Sequence, residues 1–109
     1  MSLDFYIYDK GRNTGCVIEL FHQNITHNVS PMWHKAGIYN ELYNSDKSKV
    51  KGITGLLKMG LAKMKTDPEE YKKLNPPNGW GNYEHAIEFL EKVIKGCKEY
   101  PEAYVGISK

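Results

Sequence analysis

Arginine, cysteine and long apolar runs are all scarce in this sequence, and each scarcity excludes something. Every basic residue but Arg12 is a lysine. Base-edge readout and bidentate phosphate clamps draw on the guanidinium fork, which argues against a dedicated DNA reader. The net charge of +2 does not mark a nucleic-acid protein either. Cys16 and Cys97 are the two cysteines, and they form no CxxC pair, so they do not make a zinc site. No stretch approaches the ~20 apolar residues of a membrane span. Residues Met1 to Lys10 hold no basic region ahead of an apolar one, so they do not read as a signal peptide. A reducing compartment follows, with both cysteines expected as thiols on apolar faces. Asn24-Ile-Thr26 and Asn28-Val-Ser30 match the glycosylation acceptor pattern, which carries meaning only in a secreted chain. There is no internal repeat, low-complexity tract or linker. At 109 residues, 40% hydrophobic and 26% charged, the chain reads as one globular domain rather than a disordered, collagenous or coiled-coil one.

Local patterns predict an α+β domain. Leu3, Phe5 and Ile7 alternate with Asp4, Tyr6 and Tyr8, the period of a strand with one buried face. The turn formers Lys10 to Gly15 lead into a second β-rich run, Cys16 to Phe21, so a hairpin is expected. The polar stretch His22 to Val29 reads as an ordered loop. Ser30-Pro31 opens a helix to about Tyr43, with Trp33 off its apolar stripe. Ser48 is placed to cap a second helix, about Lys49 to Lys65, whose apolar face includes Val50, Ile53, Leu57, Leu61 and Met64. Lys47, Lys51, Lys58 and Lys65 form a stripe on its far side. Asp67-Pro68 starts a short third helix to about Leu74. After the Gly/Pro-rich loop from Asn75, Asn82 caps the longest helix, Tyr83 to about Tyr100. Ala103 to Ser108 is a last β-rich run that adds most simply to the hairpin. The expectation is a three-stranded antiparallel sheet, the N-terminal hairpin plus the C-terminal strand, covered on one face by three to four helices. Its exposed edges invite dimerisation or strand addition.

Two blocks carry the groups that could do chemistry. Asn24-Ile-Thr-His-Asn28 packs two amides, a hydroxyl and an imidazole into five residues just before a helix start. Such groups bind polar or anionic ligands, and His27 offers an imidazole of the kind used as a general acid or base. Asn78-Gly-Trp-Gly-Asn-Tyr83 combines glycines that permit close backbone approach with an indole that can stack on a base. It feeds the N-terminus of the long helix, whose free N–H groups suit an anion. It is no P-loop, because GK[ST] is missing. The candidate ligand-binding residues are therefore Asn24, Thr26, His27, Asn28, Trp33, Asn78, Trp80 and Asn82, with Lys35 at the rim. No catalytic set, metal site or cofactor is called for. His22, His27 and His34 have no recognised metal spacing.

The whole-chain layout resembles a family of small proteins encoded in phage and prophage-bearing bacterial genomes, most of them without an assigned activity. Leu3-Asp4, Asn24-Ile-Thr-His-Asn28, Ala36-Gly-Ile-Tyr39, Asn75-Pro, Gly79-Trp-Gly81, Tyr83 and Tyr100-Pro-Glu-Ala103 carry the resemblance. It implies a phage-type accessory protein acting in the host cytoplasm by binding. One form is a counter-defence protein that sequesters a small anionic, nucleotide-like ligand without turning it over. A second is an anti-CRISPR-like inhibitor that docks a host defence protein through the lysine stripe or exposed aromatics. A third is a small phosphoesterase-like enzyme using His27. A homo-oligomer is expected, and neither a membrane nor a nucleic-acid partner.

Overall fold

In the computed structural model, which describes residues 2–10 and 16–109, the first strand is β1 (Ser2–Lys10). It buries Leu3, Phe5 and Ile7 as the alternation requires. It is the central strand of an antiparallel sheet. β2 (Val17–Thr26) and β3 (Tyr104–Ser108) flank it in the order β2-β1-β3. The expected α+β architecture is present, with the last strand on the hairpin. The turn expected at Lys10 to Gly15 falls largely outside the described residues.

β2 is longer than the sequence suggested, and the stretch after Phe21 is strand rather than loop. His22 and Asn24 lie opposite Tyr6 and Asp4 on the open face, while Gln23 and Ile25 oppose Phe5 and Leu3. The two-residue period was present, but a glutamine at an inward position concealed it. The strand ends in a 3-10 turn, His27–Val29, where the Thr26 hydroxyl accepts from the Asn28 N–H.

The single helix expected from Ser30 to Tyr43 is two: α1 (Ser30–Ala36) and α2 (Tyr39–Tyr43). Gly37 has φ +77°. Its N–H donates to His34 O, and the Ile38 N–H donates to Trp33 O. Those two bonds are a Schellman stop. The break corrects the facing of Trp33. A stripe drawn through fourteen residues left Trp33 outside it, whereas the seven-residue α1 turns Met32, Trp33 and Ala36 inward together. Trp33 is fully buried, its ring 5.9 Å from that of Phe89.

α3 (Lys51–Thr66) has no side-chain cap, so the cap expected from Ser48 is absent. The chain after α5 (Tyr83–Glu99) supplies acceptors instead. Val50 N–H donates to Ala103 O and Lys51 N–H to Pro101 O, while Ser48 O accepts from Val105 N–H. The short α4 (Pro68–Lys72) starts on Pro as expected. α5 begins at Asn82, whose Oδ1 accepts from the His85 N–H. Its apolar stripe, including Ala86, Leu90, Val93 and Cys97, closes the core against α3 and the inner sheet face. Cys97 is buried, but Cys16, which precedes the first residue of β2, is exposed. Tyr43 and Tyr83 lie in the core; Tyr39 is only half-buried.

Close packing at α3 separates its glycines. A Cβ at Gly60 would come within 2.4 Å of Ile38 Cγ2, whereas one at Gly55 meets nothing within 4 Å. Gly55→Ala should therefore raise stability by roughly 0.5–1 kcal/mol through helix propensity. Gly60→Ala should lower it by about 1–3 kcal/mol through overpacking. Urea titration of the two variants checks the opposite signs.

Candidate functional site

The two blocks separated by some fifty residues of sequence meet at one end of the sheet. Asn28 Nδ2 donates to the Trp80 carbonyl at 3.4 Å. Gly81 makes the contact possible: it sits at φ +90°, and a Cβ there would lie 2.6 Å from Thr26 Cγ2 and 3.0 Å from Val29 Cγ1. The turn before it is tied by Asn78, whose Oδ1 accepts from the Trp80 N–H at 2.9 Å. This Asx turn fixes the backbone at Trp80, whose side chain stands 71% exposed.

Asn24, Thr26, His27, Asn28, Asn78 and Trp80 line one cleft of about 660 Å³ together with Ser2. Six of the eight candidate residues thus share a wall. The other two do not. Trp33 is in the core, where its indole N–H finds no hydrogen-bond partner among the described residues. Asn82 spends its side chain on capping α5. Lys35 lies elsewhere, its Nζ 5.7 Å from the Tyr71 ring. The helix start is also less open to an anion than its position implied. The Tyr83 N–H donates to Asn75 Oδ1, the His85 N–H to Asn82 Oδ1, and Glu84 puts a carboxylate in the first turn. These acceptors already satisfy the groups an anion would use.

Asn24 and His27 in the cleft each have partners that set their direction. Asn24 Nδ2 donates to Ser2 Oγ and Asp4 Oδ1, both at 2.9 Å. His22 Nε2 lies 2.8 Å from the same Asp4 oxygen. The Asn24 amide first, and His22 second, hold the Asp4 carboxyl below its ordinary range. His27 Nδ1 lies 2.8 Å from the Tyr43 hydroxyl. Tyr43 stacks on Tyr39 at 4.4 Å, and Tyr39 on His34 at 4.0 Å, so a column of rings backs the imidazole. Burial pushes the Tyr43 phenol up to about 12. Tyr43 therefore stays protonated across the neutral range and bonds His27 as a hydroxyl. Lys109 Nζ borders this column, donating to Tyr43 O and Asn44 Oδ1.

A second groove of about 300 Å³ lies between β2 and α5. Trp80, Asn24 and Thr26 border it too, so the indole belongs to both hollows. Ile25 and Phe89 give it an apolar floor; His85, Glu88 and Lys92 form its helical wall. Glu88 and Lys92 pair at 2.9 Å. Helical residues of this kind, and Tyr43 behind His27, were missed because only tertiary packing brings them to the blocks. No three His, Cys, Asp or Glu side chains gather as metal ligands among the described residues. The lysine stripe is divided: Lys51 pairs with Glu102, Lys65 with Glu91, and Lys47 precedes the helix at φ +69°. Among the described residues, no helix is long and apolar enough to cross a membrane. No protein-family model, curated protein or solved structure matches the chain.

The buried phenol gives a pH prediction. Its pKa is higher in the folded chain than the ordinary 10, so its contribution is complete below pH 10 and is lost as pH rises towards about 12. Cys97, raised by burial from 9 to about 11, acts in the same sense one unit lower. Stability should fall on the alkaline side by up to about 1.4 kcal/mol per pH unit for each group over its own window. Tyr43→Phe should flatten the part above pH 10. Thermal melts across pH 8–12, with absorbance at the tyrosinate band, make the comparison.

Proposed function

We propose that the chain is a binding protein of phage type that holds a small anionic, nucleotide-like ligand in the cleft beside Trp80 without turning it over. The observation that carries this reading is the meeting of the two blocks, which puts an exposed indole next to the amide, hydroxyl and imidazole side chains of Asn24, Thr26, His27, Asn28 and Asn78. A base stacks on the indole. The amides of Asn28 and Asn78 and the Thr26 hydroxyl serve its polar edge, and His27 faces the charged part. Sequestration is favoured over catalysis because the one imidazole in the cleft is bonded to a neutral hydroxyl rather than a carboxylate. A general base is oriented and strengthened by the latter. The cell compartment in this reading is the host cytoplasm.

A second reading has one observation of its own. Leu56 and Met59 are exposed one turn apart on α3, with Lys63 a turn on. That surface suits an acidic face of a host defence protein, as an inhibitor of the anti-CRISPR kind would need.

Native mass spectrometry after incubation with a nucleotide pool that includes cyclic dinucleotides decides between them. Sequestration gives an adduct of unchanged ligand mass, and Trp80→Ala weakens it by about tenfold or more while the melting temperature holds. Altered nucleotides in the supernatant would move His27 to the front as a catalyst. No adduct and no turnover removes the cleft reading and leaves the α3 surface.

A further inference from the structure

Five large apolar side chains stand exposed among the described residues, and three of them border one strand edge. Val17 is 61% exposed and Ile18 52%, at the start of β2. Trp80 stands over the groove beside the other end of the same strand. β2 lies at the margin of the sheet, and β1 is its only strand partner among the described residues. Its outer rim therefore offers N–H and C=O groups to one more strand. α5 packs under β2, where a Cβ on Gly96 would touch the Phe21 ring, and then leaves the apolar-floored groove along Ile25 and Thr26.

We propose that the occupant of this edge is a second copy of the chain, β2 against β2, antiparallel about a twofold axis. The argument is self-complementarity. An axis at the middle of a strand that runs Val17–Thr26 exchanges its ends. Val17 of one copy then meets Thr26 of the other, and Ile18 meets Ile25. The faces agree as well. On β1, Ile25 is paired with Leu3 and Ile18 with Asp9, positions of the same parity. In a regular strand, Ile18 and Ile25 would face opposite ways. The bulge opposite Ile7 and Tyr8 adds one residue to β2 and brings Ile18 to the helical side.

Ile18 therefore enters the partner copy's groove over Ile25 and Phe89, next to Trp80. The contact is made twice, once at each end, as an isologous interface requires. The bulge falls close to the axis, so the two ends carry the pairing and the centre contributes little. The result is a continuous six-stranded sheet, with the amide-lined cleft still bordered by Trp80. The inference stands apart from the ligand reading: the pairing needs no ligand, and a monomer could still bind one.

Size-exclusion chromatography with light scattering, from about 1 to about 200 µM protein, reads the mass directly. The expected result is twice the chain mass at the upper end. Ile18→Lys should raise the dissociation constant by about tenfold or more with an unchanged circular dichroism spectrum, because the side chain is half exposed already. Met59→Lys, on the remote α3 surface, should leave it unchanged. In a Cys16→Ser background, Val17→Cys with Thr26→Cys should oxidise to a covalent dimer linked between chains. A single-chain mass throughout overturns the proposal, whether or not an extended peptide then binds the groove. So does a dimer indifferent to Ile18→Lys, or a cysteine pair that stays uncrosslinked at concentrations where the dimer forms.

Discussion

The approach of Gly81 to Thr26 and Val29 is the contact on which the rest of the candidate site depends. A methyl group in place of one hydrogen would collide with both side chains, and the φ of +90° would strain any L-residue. Only glycine lets the turn from Asn78 lie flat against the end of β2. Everything described at that end follows from it. The Asn28 amide reaches the Trp80 carbonyl, the indole rises between two hollows, and polar side chains from distant parts of the chain share a wall. The arrangement is built from short-range ties, an Asx turn and a 3-10 turn, each of which the local sequence specifies. What joins them is a single steric permission.

That division explains how far the sequence could be read. The strand alternation of Leu3, Phe5 and Ile7, the N-cap at Asn82 and the long stripe of α5 are local signals, and local physics sets them. The composition of the two blocks was legible for the same reason. Their proximity was not, because it rests on a non-local contact that no periodicity encodes. Trp33 was misplaced by a related cause. Its facing depends on where the helix stops, and Gly37 stops it through two hydrogen bonds that a fourteen-residue stripe overrides on paper. Ser48 looked like a cap, yet the carbonyls of Pro101 and Ala103 take that task from far along the chain. At Ser48 a tertiary partner thus displaced a local preference of about 1 kcal/mol, a margin easily reversed.

The site is stiff where recognition would need stiffness. The imidazole of His27 is fixed by the Tyr43 hydroxyl and backed by stacked rings, and the Asn24 amide is held by Ser2 and Asp4. Side chains already ordered lose little entropy on binding, which is what the proposed ligand reading requires of them. A carboxylate so close to the cleft also carries a discriminating cost. In the proposed reading, Asp4 would repel an anion that strays towards the open face of the sheet and so favour the flank of His27 and Asn28.

The segment from Pro101 to Ser108 has a further consequence, in the order of events during synthesis. Its carbonyls complete the first turn of α3, and its strand covers one side of β1. Both clients precede it, α3 by about fifty residues and β1 by about a hundred. A nascent chain in which only these two have emerged holds a central strand with one bare flank and a helix with unsatisfied N–H groups. Neither can settle until the last turn of α5 and the residues behind it have left the ribosomal tunnel. Acquisition of the fold thus waits for this segment, and a ribosome that stalls within α5 presents a chain with a sticky, half-built sheet.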